Sequence, residues 1–304
     1  MLSLILLAFI GSAVSEFDPE IHEKFMTLPK HEFVTYFNSL NRSWTIKDYG
    51  EDKIQMHFGA EIKLDHGLPT ITHDKVNLPI NFDARTQWPH CETIREINNQ
   101  GGCGSCYLFG AINSASDRTC IHTGVHVRLS EQEGDCVKPM NACNGGSTSD
   151  VLQFWVQNGI VTKECKPYNE FELASSNCKQ QCVNPSIQYS QDKHFGETVY
   201  HVNGDLDSIS AEVVKNGPVV IAFKVYGDIH NYHGGVYEHS YGAFEVNHAV
   251  RLIGFGVDER GVDYWILANS WGPGFGEGGF IRVKRGQAAL GVESMVFAGL
   301  PRRY

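Results

Sequence analysis

The stretch Gln100–Gly110, QGGCGSCYLFG, sets two cysteines, Cys103 and Cys106, three residues apart. That spacing serves three chemistries: a redox pair, half of a zinc site, or a structural cysteine beside a nucleophile. A thioredoxin-type redox pair follows a strand within a βαβ pattern, and no such pattern precedes Cys103. A zinc site needs a second ligand pair at compact spacing, and Cys178 and Cys182 lie too far along the chain. The nucleophile option needs a base and an orienting amide. His248 in EVNHAV and Asn269 in ILANSWG follow Cys106 by 142 and 163 residues. A thiol of ordinary pKa, ~8.5, is mostly protonated near neutrality, whereas the thiolate is what attacks a carbonyl. The positive end of a helix and a neighbouring imidazolium both favour that anion. The imidazole can then protonate a leaving amine, while the amide fixes its orientation.

These residues need elements to hold them. No proline interrupts Cys103 to Thr119, and Leu108, Ala111, Ile112 and Ala115 fall at helical spacing. Gly104 and Ser105 stand where such a helix would start, so Cys106 is predicted in its first turn. Ser130 and Glu133 form a capping-box pattern for a second short helix. SDVLQFWVQNG predicts a third, ending at Gly159, and DSISAEVVKNGP a fourth, stopping at Asn216-Gly217-Pro218. Beyond Pro218 the runs VVIAFKVY, HAVRLIGFGV, DYWILANSW and GFIRVKRG are β-branched and aromatic, separated by glycine and charged turns. Helices first and strands afterwards define an α+β chain with a segregated sheet or barrel.

A chain of 304 residues suits one large unit or two subdomains, and 42% hydrophobic residues with 31 glycines exclude a disordered one. The formal charge of −10 leaves no basic footprint for nucleic acid. No apolar run approaches the ~20 residues of a membrane-spanning helix. Leu2–Ile10, followed by Ala13 and Ser15, reads as a signal peptide over 1–15. Nine cysteines in an oxidising compartment leave one thiol unpaired, and all nine fall in the first half of Cys91–Tyr304. Residues 16–77 carry no cysteine and end at KVNLPINFDARTQWP, where Pro79 and Pro89 punctuate and the cysteines begin soon after, so they form a separate propeptide or small domain. Asn41-Arg42-Ser43 is a glycosylation sequon. His230 with His233, and His122 with His126, are spaced for a metal but lack a thiol partner and are assigned to the surface. No metal or cofactor is expected.

From about Leu78 to its C-terminus the chain resembles the papain-like cysteine proteases, and among them the cathepsin B-like group. The motifs LPINFDARTQWPHC, NQGGCGSC, CNGG, QDKHFG, NGPV, NHAV, ANSWG and RGQ…GVES carry the likeness in order. The resemblance implies a papain-like two-subdomain fold, with a helical N-terminal subdomain, a β-barrel-like C-terminal subdomain and the active-site cleft between them. It implies a monomeric endopeptidase over 78–304, with Cys106 as nucleophile, His248 as base, Asn269 orienting it and Gln100 donating to the oxyanion. Trp271 would shield the His–Asn bond. Gly145 and Gly146 would form a cleft wall, with Ala222, Ala249 and Met295 lining the pocket for the substrate's P2 side chain. The implied disulfides are Cys91–Cys120, Cys103–Cys143, Cys136–Cys178 and Cys165–Cys182, a connectivity that the sequence alone leaves open.

Three departures bear on specificity. KECKPYNEFELASSNCKQQC stands where cathepsin B has a long histidine-bearing occluding loop, so carboxydipeptidase activity is not expected. The open cleft should also admit cystatin-like protein inhibitors as well as peptide and protein substrates. Tyr107 replaces the family's usual tryptophan. Met295 aligns with a pocket-floor glutamate, which predicts Leu, Val or Phe at P2 and poor dibasic cleavage, unless Glu293 reaches the pocket instead. Residues 16–77 would be the enzyme's own inhibitory propeptide. Five of the 14 histidines (His22, His31, His57, His66 and His73) lie in it, which suggests acid-triggered release. The implied destination is the secretory pathway, ending in a lysosome-like vacuole or outside the cell. The competing reading is a catalytically silent papain-fold binding or decoy protein.

Overall fold

A computed structural model describes residues 17–50, 59–63, 65–74, 77–137, 142–175, 177–287 and 290–303. The expected signal peptide and His57 lie outside these residues. The N-terminal segment forms α1 (Pro19–Thr27), α2 (Lys30–Ser39), β1 (Trp44–Ile46) and β2 (Thr70–Ile71). Asp18 starts α1 by accepting the amides of Glu20 and Ile21, with Pro19 in the first turn, where its missing N–H costs nothing. Phe25 and Phe33 each lie 4.9 Å from the Tyr241 ring, and Trp44 lies 5.0 Å from Tyr237. This aromatic packing anchors the segment to the rest of the chain.

The next stretch carries β3 (Phe82–Asp83), α3 (Ala84–Gln87), α4 (Cys106–Thr123), α5 (Thr148–Asn158) and α6 (Glu170–Ala174). Helix α4 is central: fifteen of its eighteen residues, Cys106 to Cys120, are buried, and Gly124 ends it at φ 74°. Two charges buried in α4 find partners across the core, Asp117 with Arg251 at 2.7 Å and Arg118 with Glu212 at 2.8 Å. The capping-box pattern at Ser130 yields a short 3-10 helix, Glu131–Cys136. Glu133 does not reach back to Ser130, whose N–H donates to Val161 O; its carboxylate turns inward to Lys193 at 2.6 Å and Lys166 at 3.1 Å.

The last part of the chain holds β4 (Gly196–Val202), α7 (Leu206–Asn216), β5 (Val219–Tyr226), β6 (Tyr232–Tyr237), β7 (Phe244–Val257), β8 (Asp263–Ala268), β9 (Phe280–Lys284) and β10 (Val296–Pro301). The ladder order is β1-β6-β9-β8-β7-β5-β10-β4-β2, with β3 joined to β7 off this path. The sheet is therefore open and does not close into the barrel-like form expected above. The N-terminal segment takes the outer positions, β1 beside β6 and β2 beside β4, so those two strands meet it and not each other. The architecture is α+β, with α4 packed on β5, β7 and β10. Disulfides Cys91–Cys120, Cys103–Cys143, Cys136–Cys178 and Cys165–Cys182 staple the helical half, leaving Cys106 as the free thiol among the described residues.

Candidate active site

Cys106 is the first residue of α4, where unsatisfied backbone amides give the helix its positive end. The neighbouring strands bring in the other groups. His248 and Ala249 lie on β7, opposite Phe223 and Ala222 of β5. Asn269 follows β8, and its side-chain carbonyl accepts the His248 Nε2–H at 2.8 Å and the Ser270 amide at 2.8 Å. With Nε2 committed to Asn269, Nδ1 is the ring atom on the other edge of the imidazole. Trp271 stacks on that imidazole with ring centres 4.6 Å apart, and Phe223 meets it edge-on at 5.9 Å. The four groups are thus gathered from one helix start and three points around the sheet.

Gln100 is buried and its side-chain amide is held at both ends. Nε2 donates to Cys103 O at 2.9 Å, and Oε1 accepts from Ser270 Oγ at 2.6 Å. Its backbone N–H donates to Ser270 O at 2.9 Å, and Tyr168 donates to its carbonyl at 2.7 Å. Ser270 and Tyr168 were not singled out by the sequence. Ser270 neighbours the ANSWG asparagine, which is the one signal that could have drawn attention to it. Tyr168 lies 68 residues from Gln100 and carries no local signal.

The N-terminal segment crosses this site. The Gly146 N–H donates to Gly59 O at 2.7 Å, Glu61 N–H donates to Gly146 O at 2.9 Å, and Ala60 N–H donates to Asn247 O at 3.3 Å. Ala60 and Gly146 thereby form a parallel bridge. Gly59 is wedged between the walls: a Cβ there would overlap Gly104 O and come within 2.8 Å of Gly145 Cα. Gly145 itself has φ 96°, and a Cβ on it would stand 2.7 Å from Gly59 O. Further along, Lys63 pairs with Asp150 at 3.0 Å. Burial under this cover pushes the Cys106 thiol up to about 11, although backbone N–H groups of Ala249 and Gly59 point at the sulfur and pull the other way. Burial likewise draws the His248 imidazole down to about 4, opposed by its bond to Asn269.

Met295 is buried in one apolar cluster with Ala222, Ala249 and Phe297, and Ile62 and Leu68 of the N-terminal segment pack against the same cluster. Glu293 is elsewhere: its Oε1 accepts from the Trp265 indole at 2.8 Å and from Gly286 N–H at 2.8 Å. Of the histidines spaced for a metal, His122 bonds Asn216 O at 3.0 Å and His230 bonds Glu245 at 2.7 Å.

Comparison with known proteins agrees with this geometry. The sequence profile described as "Papain family cysteine protease" matches residues 78–300. Cathepsin B-like cysteine proteinase 6 of Caenorhabditis elegans is 35% identical over 93% of this chain and 86% of its own length. Cathepsin B-like protease 1 of Arabidopsis thaliana is 38% identical over 77% of this chain and 71% of its own. The solved structure of a procathepsin B from Trypanosoma congolense superposes with a TM-score of 0.82 at 31% identity, covering 91% of this chain and 99% of that one. The chain therefore belongs to the papain family of cysteine proteases, in its cathepsin B-like group, and is a cysteine-type peptidase. Among the described residues no helix is long and apolar enough to cross a membrane.

Proposed function

We propose that the chain is the zymogen of an endopeptidase that cleaves peptide bonds through Cys106, His248 and Asn269, with residues 16–77 as its propeptide and 78–304 as the mature enzyme. The observation that carries this is Gly59, lodged between Gly104 and Gly145 with its N–H on the Cys106 sulfur. A peptide backbone already lies where a substrate would. Once it leaves, Cys106 transfers its proton to His248 and attacks the carbonyl carbon, forming the tetrahedral intermediate. The oxyanion takes the Cys106 backbone N–H and the second N–H of Gln100 Nε2. His248 protonates the leaving amine, and water then hydrolyses the thioester. Trp271 keeps water off the His248–Asn269 bond.

Met295 with Ala222 and Ala249 supports a preference for Leu, Val or Phe at P2, and the engagement of Glu293 with Trp265 argues against a carboxylate in that pocket. The short segment around α6 carries no histidine, which supports endopeptidase over carboxydipeptidase activity and leaves room for cystatin-like inhibitors. Four disulfides suit the secretory pathway, with a lysosome-like vacuole or the exterior as destination. The test uses protein matured in acid under mild reductant. Z-Phe-Arg amides should be cleaved and Z-Arg-Arg amides cleaved poorly, with all cleavage lost in Cys106→Ala. Comparable Arg-Arg cleavage would overturn the pocket assignment. No cleavage by the intact triad would favour the silent binding protein.

A further inference from the structure

The sequence offered no role for Glu170, the first residue of α6. The contacts of its neighbours fix where it stands. Asn169 caps α6 by accepting the Phe171 and Glu172 amides, while its own N–H donates to Gln132 Oε1 at 2.9 Å. Tyr168, two residues before Glu170, donates to Gln100 O at 2.7 Å and meets Ser105 Oγ at 2.9 Å. Glu170 is thus tied to the same loop that carries the nucleophile. Its carboxylate accepts the Gly102 N–H, and its backbone carbonyl oxygen lies 3.7 Å from Cys143 Sγ. The residue therefore spans the Cys103–Cys143 bridge from one end to the other. Among the described residues no lysine, arginine or histidine forms an ion pair with it.

The course of a bound peptide follows from the cleft. A carbonyl carbon bonded to Cys106 Sγ puts its oxygen toward Gln100, and its backbone passes Gly145 and Gly146 as Gly59 and Ala60 do. The residue donating that carbonyl is P1. Its side chain is excluded from the narrow gap between Gly104 and Gly145, so it must run outward over the Cys103–Cys143 bridge toward Gly101 and Gly102. The carboxylate of Glu170 closes that path, resting so near Gly101 that a side chain on that glycine would collide with it.

We propose that Glu170 is a specificity-determining residue for P1, selecting a guanidinium or ammonium side chain. The inference rests on the peptidase reading above and adds to it a subsite that the Met295 pocket does not control. A half-exposed carboxylate lacking an internal cation gains most from a cation brought by the substrate, and a planar guanidinium can satisfy both oxygens.

The experiment compares acid-matured wild type with Glu170→Gln on Z-Phe-Arg and Z-Phe-citrulline amides. Citrulline keeps the shape of arginine without its charge. The ratio of kcat/KM for Arg over citrulline should fall roughly 3- to 10-fold in the variant, as expected for a partly exposed ion pair. Citrulline cleavage itself should be little changed. Raising NaCl from about 0.05 to about 0.5 M should lower the ratio in wild type and leave it flat in Glu170→Gln. An unchanged ratio in an active variant overturns the proposal. Should the variant fail to fold, a salt-independent ratio in wild type overturns it as well. Loss of both cleavages in wild type would instead sink the peptidase reading on which it stands.

Discussion

Cys106 and His248, the proposed catalytic pair, are buried under the segment that carries Gly59, and burial moves them in opposite directions, the thiol up to about 11 and the imidazole down to about 4. An acid pushed up is protonated at pH 7, and a base pushed down is neutral there. If the proposed reading holds, the resting pair of the zymogen is S–H with neutral imidazole, and the thiolate–imidazolium pair expected from the sequence would form only once the covering segment has left. Iodoacetamide should therefore alkylate Cys106 in the zymogen only slowly at pH 7, about tenfold faster per added pH unit as the thiolate fraction grows. Removal of the propeptide should abolish that steep dependence near neutrality, and equal rates before and after removal would contradict the account. Gln100, the proposed oxyanion donor, carries a second prediction. Gln100→Ala should lower kcat about 10²- to 10³-fold with little change in KM. Ser270→Ala, which only frees the Gln100 amide to turn, should show the same kcat-selective pattern in milder form. A Ser270→Ala effect confined to KM would separate it from the oxyanion.

At the scale of the element, the proposed inhibition rests on short segments. Gly59 fits because it has no side chain, so Gly59→Ala should force the covering strand off Gly104 and Gly145. The expected result is a zymogen that cleaves Z-Phe-Arg before processing; a fully latent Gly59→Ala protein would contradict this. Two histidines of the proposed propeptide, His66 and His73, meet the rest of the chain in different ways. His66 stacks on His201 with ring centres 4.9 Å apart, and His201 is held below its usual value by burial and then by the charge of His66. A group lowered in the docked state leaves docking intact above its ordinary value, about 6.5, and weakens it as pH falls below. His73, by contrast, sits 2.6 Å from the Glu212 carboxylate. Acid should therefore loosen the segment where it packs on His201. His201→Phe keeps a ring in place but removes the titration, and should flatten the rise in processing rate between pH 7 and pH 5. Acid acceleration equal to wild type would refute this role.

At the scale of the whole molecule, Glu212 joins the helical half, the sheet and the N-terminal segment. Burial opposes its charge, yet Arg118, His73 and Tyr200 outweigh that and hold the carboxyl well below the usual range. Its contribution is present above the ordinary glutamate value and is lost only as pH falls far lower, so the core stays paired in a mildly acidic compartment. Glu212→Ala leaves Arg118 buried and uncompensated, and should cost ~3–5 kcal/mol in urea unfolding; a loss under ~1 kcal/mol would contradict the pairing. The helix start at Cys106 and the strands after Pro218 were legible because periodicity is local, and the family was legible in the order of its motifs. The open sheet was not, since β1 and β2 are too short for any pattern and exist only against β6 and β4. Ser270, Tyr168 and Glu170 were also hidden, because their partners lie 68 to 170 residues away. The measurement that tests the central claim most directly is mass spectrometry of the protein treated with an epoxysuccinyl inhibitor before and after acid maturation. A single adduct on Cys106, appearing only after the propeptide has left, is predicted. Equal labelling of the intact zymogen, an adduct on another residue, or none at all would contradict it.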